Sequence, residues 1–171
     1  MAELFHSPSG GTLSLENVVA AITSFMAEAP ENRYEVTVGT DSQGYKNANG
    51  GETDFVSVAV VHRVGRGGRY FWRKTKKERI MALREKVYEE ATFSLMLAME
   101  LGGLLKDHLQ ELALNGSKEP RYKLEIHVDI GANGPTRDMI REIVGMIRGN
   151  GFVVRTKPEA YAASIVADKH T

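Results

Sequence analysis

The chain has 171 residues, and its 22 Lys and Arg balance 22 Asp and Glu, which argues against a protein that coats nucleic acid by bulk charge. With 42% hydrophobic residues and no apolar run near the ~20 residues of a membrane span, it reads as one ordinary globular domain over 1–171 with no membrane partner. Met1 to His6 shows no signal-peptide pattern and cysteine is absent, so a cytoplasmic protein without disulfides is expected, in which any metal is held by oxygen or imidazole.

Residues 1–11 form an extended lead-in with turns at Pro8 and Gly10-Gly11. Leu15, Val18, Val19, Ile22, Phe25 and Met26 recur at helical spacing and predict a helix over 14–28, with Thr12 or Ser14 able to cap it. Over 33–40, Tyr34, Val36 and Val38 alternate with Glu35, Thr37 and Gly39, and Asp41 continues the second set. That is a strand delivering a carboxylate to the rim of a sheet. The Asn- and Gly-rich stretch 44–54 is expected to be a mobile loop. Strands over 55–62 and 69–74, joined at Gly65-Arg66-Gly67-Gly68, complete a three-stranded antiparallel meander.

A long helix is expected from about Lys77 to Leu101, with Gly102-Gly103 either kinking or ending it, or the helix continuing to Leu112. Its buried stripe runs through Ile80, Leu83, Val87, Ala91, Ser94, Ala98 and Leu101, and Glu90 falls on it while Glu85 and Glu89 turn away. An unpaired buried carboxylate costs several kcal/mol, so Glu90 calls for a cation. The alternative places it at the helix rim beside Arg84 or Lys86. A fourth strand over 122–129 sets Leu124, Ile126 and Val128 against Glu125, His127 and Asp129, the parity that Asp41 has on its own strand. If the two strands are parallel neighbours, both aspartates reach the C-terminal edge, where open α/β sheets bind ligands. A helix from Thr136, a short fifth strand at 152–155 and a last helix opened by Pro158, with Tyr161, Ala162, Ile165 and Asp168 on one face, follow.

The chain holds no Walker loop, GxGxxG or HExxH, and Ser42 lacks the GxSxG elbow of a serine hydrolase. What remains is Asp41, Glu90, Asp129 and Asp168, an oxygen-only set suited to Mg²⁺ or Mn²⁺. Two such ions can activate water against a phosphodiester. Between Arg63 and Lys86 lie ten basic residues, Arg73 and Lys74 among them, against Glu78 and Glu85, with Tyr70, Phe71 and Trp72 interleaved. This run reads either as a track for a phosphate backbone or as a charged sheet edge that resists pairing. Gln43 and Lys157 are candidate phosphate contacts or loop structure. His127 is a candidate partner or proton shuttle for Asp129, or a residue satisfied locally, and His170 stands likewise beside Asp168.

The order β-β-β-α-β-α-β-α, with Thr40-Asp41-Ser42 ending the first strand, resembles the ribonuclease H-like fold. Gly39-Thr40-Asp41-Ser42-Gln43, Leu83-Arg84-Glu85-Lys86, His127-Val128-Asp129-Ile130-Gly131, Lys157-Pro158 and Ala167-Asp168-Lys169-His170-Thr171 are similar to the bacterial YkuK family of ribonuclease H-like proteins. The resemblance implies an α/β fold with a mixed five-stranded sheet, the antiparallel meander plus parallel strands, and flanking helices. It further implies that Asp41 bridges two metals, that Asp129 and Glu90 hold one of them, and that Asp168 completes the other. The long main helix and the short link to the last helix depart from ribonuclease H proper, so the resemblance does not carry a hybrid-duplex substrate with it. The expectation is a metal-dependent nuclease or phosphodiesterase acting on RNA or DNA. The alternatives are a nucleic-acid-binding or scaffold protein of the same fold and a hydrolase of a small phosphorylated molecule.

Overall fold

In a computed structural model, which describes residues 3–44, 52–78 and 82–170, a seven-stranded mixed sheet runs in the order β2-β1-β5-β4-β3-β6-β7. The strands are β1 (Phe5–His6), β2 (Thr12–Leu13), β3 (Arg33–Gly44), β4 (Glu52–Arg63), β5 (Gly68–Glu78), β6 (Arg121–His127) and β7 (Val153–Arg155). The expected meander is β3-β4-β5, and β6 and β7 add to it in parallel beside β3. Seven strands replace the expected five because the lead-in folds into a two-residue hairpin against β5, with His6 opposite Trp72 and Phe5 buried. Two residues are too few for an alternation to be visible in sequence.

Helix α1 (Leu15–Ala27) is capped by Ser14, whose Oγ accepts the Asn17 N–H at 3.2 Å. Lys77 lies in β5, not in a helix: the strand runs on to Glu78, with Lys77 opposite Thr53 and ion-paired to Glu89. Helix α2 therefore begins at Leu83 and continues unbroken to Leu114. Gly102 does not end it. A Cβ there would lie 2.9 Å from Leu124 Cδ2, so the missing side chain lets the helix settle close to β6. A 3-10 turn (Arg137–Met139) leads into α3 (Ile140–Gly149). The expected last helix is a π-helical turn, Ala162–Ala167, followed by a 3-10 turn, Asp168–His170. Residues 45–51 of the expected loop, and Arg79 and Ile80 at the expected helix start, lie outside the described residues.

The two sheet faces are covered differently. Helices α1, α2 and α3 pack on the side of Val36, Val38, Ala59, Val61, Phe71 and Ile126. On the other side Val56, Val58 and Val60 meet Ala162 and Ala167 of the π-helical turn. Alternation of side chains along each strand then assigns every polar residue of β3 and β5 to one side or the other.

A carboxylate edge at the end of the central strands

In the register of β3 and β6, Gly39 lies opposite His127, so Asp41 and Asp129 both fall two residues further along neighbouring parallel strands. Strand β6 stops at His127, not at 129 as expected. Val128 N–H still donates to Arg155 O at 3.0 Å, so the chain stays beside the segment after β7. Asp129 thus sits two residues beyond the strand, partly buried. Its Oδ1 lies 3.0 Å from Lys157 Nζ, yet it is buried and makes no contact with hydrogen-bond geometry. Lys157 is held there because its own N–H donates to Ile130 O at 2.8 Å.

Glu90 approaches from α2. Ser42, the next helix-facing residue of β3 after Thr40, donates its hydroxyl to Glu90 Oε1 at 2.5 Å. Burial pushes the Glu90 carboxyl up to about 7, against the Ser42 hydrogen bond. Asp41 and Asp129 push it the same way, and Lys86 opposes them. Asp41 of β3 and Asp129 after β6 therefore both lie within electrostatic reach of Glu90 on α2. Below them runs a chain of buried hydroxyls: Thr40 to Ser57 at 2.9 Å, Ser94 to Thr40 at 3.0 Å, and Ser94 to Glu90 O at 2.9 Å. These bonds fix the turn of α2 that carries Glu90 against β3. Ser42, Thr40 and Ser94 are positions around Glu90 that no motif in the sequence marks. Their signal is polar residues on a strand face and a helix stripe that are otherwise apolar.

The oxygen donor set suits a hard cation, and a buried Asp129 oxygen without a hydrogen bond is the kind of atom such a cation satisfies. Among the described residues, no three His, Asp or Glu side chains already converge as a ready-made ion site. The backbone of Asp168 opens the 3-10 turn, and its side chain lies outside the described part of the structure.

His127 shares this edge but is engaged elsewhere. Its Nδ1 accepts the N–H groups of Tyr161 and Ala162 at 3.0 and 3.3 Å, and its Nε2 lies 3.6 Å from Glu125. Only 2% of it is exposed, and burial lowers its pKa against the raising pull of Glu125. The ring works as a fastener for the terminal segment, aided by Tyr161 Oη against Thr37 at 3.1 Å.

The basic run divides by strand parity. Arg63 reaches the Phe25 carbonyl and Glu28, Arg69 lies over the Phe25 ring, and Arg84 pairs with Glu142. Arg73 lies over Phe5 and 3.5 Å from Glu3, with 13% of its side chain exposed. Lys74 instead stands exposed on the face opposite the helices, in one cross-strand row with Val56 and Asp41. Gln43 is exposed on that face, opposite Asp54. Concavities of about 660 Å³, around Arg33, Arg121 and Lys123, and about 710 Å³, between the N-terminal hairpin and α1, lie away from the acids.

A mixed sheet led by an antiparallel meander, with acids on β3, on α2 and just after β6, defines a recognisable class. The chain belongs to the ribonuclease H-like family, whose model, described as Ribonuclease H-like, matches residues 17–171. It is similar to the uncharacterized protein YkuK of Bacillus subtilis (strain 168), with 31% identity over 170 residues that cover 98% of this chain and 96% of that protein. No solved structure matches it. None of the described helices is long and apolar enough to cross a membrane.

Proposed function

We propose that the protein is a metal-dependent nuclease or phosphodiesterase acting on nucleic acid, with Asp41, Glu90, Asp129 and Asp168 as the ligands of Mg²⁺ or Mn²⁺. The observation that supports this reading is that Asp41 and Asp129 lie within electrostatic reach of the buried Glu90 at the C-terminal edge of β3 and β6, with one Asp129 oxygen buried and lacking a hydrogen bond. When bound there, divalent ions supply Lewis acidity toward a phosphodiester and its attacking water.

The chain's own residues do the rest. Ser42 orients Glu90 through its hydroxyl, and the Thr40–Ser57–Ser94 chain keeps that part of α2 in place. Lys157 lends a positive charge beside Asp129 that can pass to a substrate phosphate. Lys74 stands two strands from Asp41, about 10 Å away at ordinary strand spacing, on the face a nucleic-acid strand would cross. His127 acts at one remove, as the positioning residue for the segment that bears Asp168.

The test is cleavage of labelled single-stranded RNA, single-stranded DNA and RNA–DNA hybrid in Mn²⁺ by the protein and by Asp41→Asn. Residues that merely orient a metal ligand cost 10–100-fold, so loss of a ligand should cost about a hundredfold or more. Cleavage that survives in Asp41→Asn, or none on any substrate, rejects the hydrolase. Binding without cleavage leaves a nucleic-acid-binding protein of the same fold.

A further inference from the structure

Strand β5 carries Tyr70, Trp72, Lys74 and Lys76 at alternate positions, hence on one face, and that face is the one bearing Asp41. Trp72 is the chain's one tryptophan. The His170 ring lies on it almost parallel, with centroids 3.8 Å apart and 10° between planes, while Tyr70 and His6 flank it at 5.7 and 5.8 Å with tilted rings. Such a flat stack is the arrangement a nucleobase adopts on an aromatic side chain. Beyond a tilted contact with Tyr70 at 5.8 Å the imidazole gains little else by being there, since its Nε2 is buried without a hydrogen-bond partner.

Exposed cations border the rings. Lys74 follows Trp72 along the same face, and Lys169 precedes His170 in the terminal turn. Lys76 is less available, being paired with Glu52 at 3.1 Å. Phe71 and Arg73, which interleave with these residues in sequence, face the helices and take no part. The strip thus combines a stacking ring with cations that suit phosphates, beside the acids and not over them. A duplex keeps its base faces covered by its own neighbours and cannot use such a ring, whereas a single strand can.

We propose that Trp72 is a stacking platform for a base of single-stranded nucleic acid, that Lys74 and Lys169 hold the adjoining phosphates, and that His170 occupies the base's place until the strand displaces it. This deepens the nucleic-acid reading above and rests on it for the ligand class, but it needs no metal and no cleavage.

The experiment is therefore run in EDTA. Fluorescein-labelled single-stranded RNA and DNA and a blunt duplex are titrated with the full chain by anisotropy, and Trp72 emission is followed with unlabelled oligonucleotides. The single strands should bind and quench Trp72, with the duplex at least about ten-fold weaker. Trp72→Ala should weaken binding about ten-fold, as expected for one lost stacking partner. His170→Ala should tighten it. Lys74→Glu, a change at an exposed position, guards against a misfolded tryptophan variant, and Lys74→Ala with Lys169→Ala should flatten the salt slope by about 1.4. The platform is overturned if saturating single strand leaves Trp72 emission unchanged, if Trp72→Ala and Lys74→Glu bind like the parent, if the duplex binds as well, or if His170→Ala binds no tighter. Quenching without Mn²⁺-dependent cleavage removes the hydrolase and keeps the platform; cleavage without quenching does the reverse.

Discussion

The two faces of β3 carry the same backbone and very different surroundings. Toward the helices, Val36 and Val38 are fully buried, and the polar residues that continue this face, Thr40 and Ser42, are each tied by hydroxyl bonds. On the opposite face, Thr37 is held by Tyr161, and half-buried Asp41 lies beside Val56, which one π-helical turn covers. The first face makes geometry: three helices and a continuous apolar layer set where Glu90 stands. The second is covered more thinly, by an irregular turn with few apolar contacts. π-Helical turns are frequent at functional sites.

That contrast can be broken most severely from the helix side. Leu101 is fully buried between α2 and the sheet, so Leu101→Ala should cost about 2–5 kcal/mol, read from urea unfolding. An equally large loss on truncating a residue of the terminal turn would erase the distinction between a structural face and a thinly covered one.

Glu90 tests the seam between the faces. Its carboxyl titrates at about 7 in the fold and near 4.5 when unfolded. Below 4.5 both states hold the proton. Between 4.5 and about 7 the folded chain binds the proton that the unfolded chain has released, so stability falls as pH rises through that window and levels off above it. Glu90→Gln should remove this fall. In EDTA the variant should melt several degrees above the parent at pH 8 and level with it at pH 4. Added Mn²⁺ should raise the parent's melting temperature at pH 8 and leave the variant nearly unmoved, since a ligand that binds only the folded state stabilises it. A parent whose melting temperature is flat between pH 4.5 and 7 contradicts the buried-carboxylate picture.

The smallest expected effect separates two adjacent glycines of α2. Gly103 is exposed, with nothing within 4 Å of a built Cβ, so Gly103→Ala should stabilise the helix by about 0.5–1 kcal/mol. Gly102→Ala should gain less, because its methyl group must displace Leu124. Equal gains at both positions would mean that α2 does not need its close approach to β6.

Much of this was legible in the residues. The alternation of Val36 and Val38 with Thr37 and Asp41 placed the acid on the correct side of β3. The 83, 87, 90, 94 spacing aimed Glu90 at the sheet, where Ser42 meets it. The hairpin of β1 and β2 was invisible because its strands are held by tertiary pairing to Trp72 and not by their own pattern. The start of α2 was misread because Lys77 suits a helix N-terminal region and a strand equally; its cross-strand partner Thr53 decides the matter. Charge counting was least informative over the basic run. Ten cations look like one surface in sequence, but parity and rings distribute Arg63, Arg69 and Arg73 to other duties and leave Lys74 beside the acids.

Gly131 ties the loop after β6 to the loop after β7. A Cβ at that position would come within 3.2 Å of Lys157 Cβ, so its absence lets the two loops lie flank to flank, joined by the Lys157 N–H to Ile130 O bond. Asp129 and Lys157 consequently ride on a shared platform. A displacement that carries the acid carries its counter-charge with it, so the electrostatic balance at that corner of the edge survives motions that would otherwise disturb it.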